Sequence, residues 1–244
     1  MSRTLSSKQF YDVYNERIIQ SGFVEDIQYY HTYRDRYRST LKFITDLDLP
    51  DKPRVLDIGA GQFAVLMKNI WNDDCTVADI SDEYAGTIRD LGLEHIKFDL
   101  VRDEPEPYAG QFDLIILSEV IEHMPIPPYM VLEKLRTMLA PQGRLVVTTP
   151  NLSRLRNVIL LLTKGSIFST WEVPEDSRGL GHVKEYTAEE MEWHLRRAGF
   201  EHTDVYLTQL TNGASSTGAK IFRLLSTPFR LRDKWKDNIV AIGS

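Results

Sequence analysis

The sequence has 244 residues, 42% of them hydrophobic, with 29 Lys and Arg against 35 Asp and Glu and a single cysteine. That length accommodates one large α/β domain, or a domain with an appended lobe, and the ordinary apolar fraction excludes wholesale disorder. One cysteine excludes a disulfide scaffold or a Cys-rich zinc site, and a net charge of −6 argues against a dedicated duplex binder, whose affinity rests on neutralising phosphates.

The opening, MSRTLSSKQF, lacks the apolar stretch of a signal peptide. The longest purely apolar run, Val158 to Leu162, falls far short of the ~20 residues that span a membrane, so a cytoplasmic protein is expected. Residues 1–49 are rich in charge and in tyrosine (Tyr11, Tyr14, Tyr29, Tyr30, Tyr33, Tyr37). Leu41, Ile44 and Leu47 recur at helical spacing, which predicts a helical cap whose last helix ends before Pro50. A main unit is expected over residues 50–244, with insertions at about 150–186 and 208–237.

Within it, strands and helices alternate. Arg54 to Ile58 reads as a buried strand, Phe63 to Trp71 as a helix, Cys75 to Ile80 as a second strand, and Tyr84 to Leu91 as a helix stopped by Gly92. Glu94 to Phe98 and Phe112 to Leu117 are further strands. Tyr129 to Leu139 is a helix behind Pro127-Pro128, and Arg144 to Thr149 a fifth strand. Thr187-Ala188-Glu189-Glu190 is a capping box opening a helix that Gly199 closes, and Val205 to Leu207 and Asn238 to Ile242 are the final strands. Such alternation implies crossover units and a mostly parallel sheet covered on both faces, a Rossmann-like α/β fold.

The first strand delivers Asp57-Ile58-Gly59-Ala60-Gly61-Gln62-Phe63. Glycines at a strand tip let the backbone approach a ligand, and the next helix offers free N–H groups. Asp79 ends the second strand, placed to accept from ribose hydroxyls, and Asp99 follows the third, placed for an exocyclic amine of adenine. A phosphate-binding loop would carry a cation, whereas Asp57 is a carboxylate beside the glycines. That favours S-adenosylmethionine, with its sulfonium and amino group, over a nucleotide phosphate.

The set VLDIGAGQF, VADIS, FDL, FDLIILSEVIEHM, GRLVVTTPN and EYTAEEMEWHLRRAGF resembles the class I S-adenosylmethionine-dependent methyltransferases, over about residues 38–207, and is closest in style to those of quinone and surface-glycan pathways. The resemblance implies a seven-stranded sheet with its last strand antiparallel. It implies Gly59, Ala60 and Gly61 against the methionine moiety, Asp79 on the ribose, Asp99 with Leu100 at the adenine, and Ser118 and Glu119 near the sulfonium, with Asp57, Phe63 and Ile80 also among the cofactor-binding residues. Phe63 stands where the family often has a small residue, which narrows the approach to α-helical backbone there. Arg38 lies where related enzymes often place an arginine on the methionine carboxylate, with a solvated surface arginine as the alternative.

Methyl transfer to a hydroxyl benefits from a base, and His182, His123 and Glu119 are the catalytic candidates. A helix beginning at 119 would put Glu119, Glu122 and His123 on one face; with His182 they form an alternative metal set, similar to that of small-RNA 2′-O-methyltransferases. The bland alternative is that Glu and His fix the loop after the fourth strand without metal. Ser153 to Phe168 and Lys220 to Trp235 mix basic and apolar residues and suggest peripheral membrane contact, with a lid or an oligomer contact as alternatives. The expected activity is O-methylation of a glycan, glycolipid or small molecule, with nucleic acid not expected as a partner. An RNA 2′-O-methyltransferase and a catalytically silent cofactor-binding protein are the alternatives.

Overall fold

The structure, a computed structural model, describes residues 3–21, 27–167, 181–210 and 232–244. Most of the Lys220 to Trp235 stretch therefore lies outside the described residues. Seven strands form one sheet: β1 Arg54–Ile58, β2 Asp74–Asp79, β3 Glu94–Lys97, β4 Phe112–Ser118, β5 Leu139–Pro150, β6 Thr203–Thr208 and β7 Asn238–Gly243, in the order β3-β2-β1-β4-β5-β7-β6. The first five run parallel, and β7 is antiparallel to both β5 and β6. Strand order reverses between β1 and β4, and the crevice at the carboxyl ends of those two strands is where such sheets bind ligands.

Alternation along each strand divides the core in two. Val55, Val77, Leu114, Ile116 and Val146 face one cluster; Leu56, Ala78, Ile115, Leu117 and Leu145 face the other. The first face is covered by α1 (Ser7–Tyr14), its π-helical continuation Asn15–Ile19, α2 (Ile27–Thr45), α3 (Gln62–Trp71) and α4 (Ala85–Asp90). The second is covered by α5 (Pro128–Met138) and α7 (Ala188–Arg197). Phe10, Tyr14, Tyr30, Tyr37, Leu41 and Ile44 are buried in this first cluster, and Tyr11, Tyr29 and Tyr33 pack partly buried against it. A buried pair, Arg3 to Asp73 at 2.6 Å, ties the segment before α1 to the turn before β2.

The elements follow the sequence pattern with three differences. β5 begins at Leu139 rather than Arg144, because Leu139 already pairs with Phe112 across an irregularity in the β4–β5 ladder. The helix from 119 on which the alternative metal set depends does not form; a short 3₁₀ turn, Ile121–His123, stands there, since Glu119 adopts a φ of 55°. The 150–186 segment contains a further helix, α6 (Leu155–Lys164), whose run of consecutive apolar residues hides any helical period.

Candidate active site

At the tip of β1 the chain turns through Gly59 (φ 118°) and Gly61 (φ 87°) into α3. A Cβ on Gly61 would lie 2.8 Å from Val77 Cγ2, so the close approach of this bend to β2 requires glycine. The Asp57 carboxylate accepts from the Ala64 backbone N–H at 2.9 Å, capping the first turn of α3. Burial pushes its pKa up to about 7, against the helix amides that favour ionisation. A cationic ligand beside it would favour the charged form.

Asp57, Gly59, Ala60, Phe63, Ser118 and Glu119 line a cavity of about 140 Å³ together with Tyr29, Arg36, Tyr37 and Gln62. Ligand pockets commonly measure ~300–1,000 Å³, so this enclosed part fits only one end of a cofactor. The larger hollow of about 1150 Å³ opens at the opposite end of the sheet, beside Asp113 and Arg144 at strand starts, and shares no residue with it. Phe63 is 2% exposed and packs on the Tyr37 ring at 5.2 Å, so its bulk is absorbed by α2.

Arg38 does not reach this cavity. Its guanidinium bonds Ser7 Oγ at 2.6 Å and lies 5.6 Å over the Tyr11 ring, on the side of α2 that faces α1. The arginine of the cavity is Arg36. It pairs with Glu119 at 3.0 Å, donates to the Tyr29 hydroxyl, and sits 4.6 Å over the Tyr33 ring. Glu119 also accepts from Thr148 Oγ1 at 3.0 Å, and its own N–H donates to the Thr148 carbonyl at 2.8 Å. Ser118 Oγ shares a hydrogen bond with Thr148 Oγ1 at 2.8 Å. Tyr29 and Tyr33, one helical turn apart and followed by Arg36, were the pattern that could have disclosed this contact.

Asp79 closes β2 next to the bend, and its Oδ1 accepts from the Ser81 N–H at 2.8 Å. Ile80 beside it is 64% exposed and offers an apolar surface at the strand tip. Asp99, two residues beyond β3, accepts from the Val101 N–H at 2.8 Å, and Leu100 is buried. These four residues lie outside the enclosed cavity, on the same carboxyl edge of neighbouring parallel strands. The glycine bend, the acidic tips and an apolar shelf together suit an adenosyl group carrying a cation.

Beyond Glu119, Glu122 is 1% exposed and accepts from Thr149 Oγ1 at 3.0 Å. Burial, with the Glu119 charge second, pushes its pKa up to about 8. Among the described residues its Oε1 has no hydrogen-bond partner, and it lies 3.9 Å from Nε2 of both His123 and His182. The two imidazoles meet edge to face at 4.9 Å. His182 Nδ1 bonds Glu185 Oε1 at 3.0 Å, and Glu185, itself buried, also accepts from Arg154 at 2.5 Å and Asn157 at 2.6 Å. Burial opposes the Glu185 charge, but these three partners hold its carboxyl below the ordinary range. The expected metal set thus divides: Glu122, His123 and His182 cluster, while Glu119 turns away to Arg36 and Thr148.

The raised Glu122 pKa has a measurable sign. Between about 4.5 and about 8 the native state keeps a proton that the unfolded chain has released, so stability falls as pH rises through that window. Glu122→Gln is expected to flatten the fall by a few kcal/mol at most. Urea unfolding of both proteins at about pH 5 and about pH 8 measures it. Equal slopes would mean that Glu122 is ionised throughout.

The sheet order and the acidic, glycine-lined carboxyl edge suit a nucleotide-type cofactor, and comparison with known proteins supplies the family. A family model described as "Methyltransferase domain" matches residues 29–205. The chain belongs to that family and is a methyltransferase. It is 28% identical over 174 residues to a ubiquinone biosynthesis O-methyltransferase of Xanthomonas axonopodis pv. citri (strain 306), covering 68% of this chain and 70% of that protein. Its fold is that of an S-adenosylmethionine-dependent methyltransferase from Archaeoglobus fulgidus (TM-score 0.57, 17% identity, 85% and 91% of the chains covered). A possible histamine N-methyltransferase from Thermotoga maritima is equally similar (TM-score 0.59, 17% identity, 96% and 99% covered).

Proposed function

We propose that the enzyme methylates a hydroxyl oxygen on a small molecule or glycan, with His182 taking the hydroxyl proton. One observation carries this reading: Glu185 grips His182 Nδ1 at 3.0 Å beside Glu122, the neighbour of cavity-lining Glu119. A proton on Nδ1, donated to that carboxylate, leaves the lone pair on Nε2. An alcohol is a weak nucleophile, and an oriented base is what its attack lacks. The cofactor, when bound, supplies an electrophilic methyl on a sulfonium. The relative named as an O-methyltransferase also supports an oxygen acceptor.

In this reading Asp57, Gly59, Ala60, Gly61 and Ser118 hold the methionine end, Asp79 the ribose, and Ile80, Asp99 and Leu100 the adenine. Arg36 takes the role expected of Arg38. Incubation with methyl-labelled cofactor and a panel of catechols, phenols, glycosides and amines tests the acceptor. Label on oxygen is the expected product; label confined to nitrogen or carbon would overturn the reading. Asp79→Ala is expected to weaken cofactor binding by about 1–3 kcal/mol, the cost of losing a charged hydrogen-bond partner. Unchanged affinity by calorimetry would remove the ribose assignment.

The orphaned, buried Glu122 Oε1 favours a second reading, in which Glu122, His123 and His182 hold a divalent cation that binds the acceptor oxygen. Nitrogen and carboxylate donors suit zinc or a similar metal. Full activity after exhaustive chelation would exclude it; loss of activity restored by one metal would favour it over the free base.

A further inference from the structure

We propose that α6 and the turn at residues 232–236 form a docking surface for an anionic lipid bilayer. Along one stripe of α6, exposure climbs from 8% at Leu155 through 37% at Ile159 to 82% at Leu162, and Leu161 is 49% exposed. Residues 155, 159 and 162 share one helix face. The apolar face therefore starts against the protein and continues outward, where no described residue buries it.

Charge selects the occupant. Residues 150–167 contain no Asp or Glu, and of their three cations Arg156 and Lys164 are exposed while Arg154 is taken up by Glu185, in a chain whose net charge is −6. At the foot of α6, Asn151 Nδ2 donates to the carbonyls of Lys234 at 3.0 Å and Lys236 at 2.8 Å, which anchors the 232–236 turn there. In that turn Asp233 is paired with Lys236 at 2.6 Å, which leaves the exposed Arg232 and Lys234, 5.2 and 5.5 Å from the Trp235 ring, as its net positive charge. Apolar side chains edged by cations and an indole are the composition of elements that lie in a headgroup layer. A second copy of the chain fits worse. Three exposed side chains fall well short of the ~800 Å² per partner of a stable protein interface, and a two-fold contact would bring the same cations face to face.

The surface adjoins the acceptor side. Arg154 and Asn157, at the first turn of α6, hold Glu185, which holds His182. If the reading of His182 as the acceptor-facing base stands, an acceptor dissolved in or tethered to a bilayer meets the site from the membrane side.

Co-sedimentation of the full chain with large vesicles tests the proposal. The protein is expected to pellet with equimolar phosphatidylcholine and phosphatidylglycerol, and to remain largely in solution with phosphatidylcholine alone. Arg156→Glu with Lys164→Glu is expected to weaken binding to the anionic vesicles at least roughly tenfold. Leu161→Asp with Leu162→Asp is expected to abolish it, with circular dichroism and calorimetric cofactor affinity unchanged. Wild-type protein left in solution with anionic vesicles, equal pelleting with both lipids, or variants that pellet as wild type does would overturn it. So would a dimer in equilibrium sedimentation that Leu161→Asp dissociates. Pelleting needs no turnover, so its failure leaves the His182 reading standing, and an inactive His182→Ala protein that still pellets leaves the lipid surface standing.

Discussion

His182→Ala is expected to slow methyl transfer by ~10²–10⁴-fold, the usual contribution of a positioned acid or base, with cofactor affinity unchanged. The separation of effects follows from position. His182 bonds Glu185, itself held from α6, whereas the cavity at the glycine bend is walled by α2, β1 and the tip of β4. Glu185→Gln should lower turnover less, because the amide still accepts from Nδ1 but no longer stabilises a cationic imidazole. Rapid-quench measurement of the transfer step, with cofactor affinity taken separately by calorimetry, reads both effects. Normal turnover in His182→Ala would end the base assignment. Loss of cofactor affinity in the same variant would show that the loop shapes the cofactor cavity instead.

Arg36→Met is expected to cost about 3–5 kcal/mol of stability, because it leaves Glu119 largely buried and unpaired. The Arg36 and Glu119 side chains are 8% and 15% exposed, so bulk solvent screens their pairing only weakly. Pairing the change with Glu119→Gln should recover part of the loss, and the coupling energy of the cycle is expected to be about 1–3 kcal/mol. Denaturant unfolding of the four proteins measures it. Coupling below about 0.5 kcal/mol would mean that the pair is solvent-screened. The same Arg36 variant should bind cofactor more weakly, since the guanidinium lines the cavity.

The sheet was legible in the sequence because strands buried on both faces leave continuous apolar runs, and RVLDI and FDLIIL are too short for helices and too apolar for surface loops. The acidic strand tips were legible for a related reason: a carboxylate ending such a run must face the carboxyl edge. Arg36 was missed through helical phase. Arg34, Arg36 and Arg38 alternate along α2, and two residues at 100° each turn a side chain to the opposite side of the helix. Which of them faced β4 depended on packing of Tyr14, Tyr30 and Tyr37, which only the folded chain fixes. Glu119 gave no warning of its positive φ, a conformation that short-range rules assign to glycine or asparagine. The divided metal set follows from that one backbone angle. α6 escaped because VILLL is apolar at every position, and a helix that leaves part of its apolar face uncovered lacks the polar stripe by which surface helices are recognised.

The strand order also bears on how the molecule is made. β7, residues 238–243, lies between β5 and β6, so β6 has no neighbour in the sheet until those residues have been synthesised. A nascent chain whose residues 238–243 are still inside the ribosome presents β5 with an unpaired edge, and an unpaired edge is a template for another strand. Closure of the sheet therefore waits for those residues to emerge, and the interval before β7 inserts is when the chain is most exposed to aggregation and to chaperone capture.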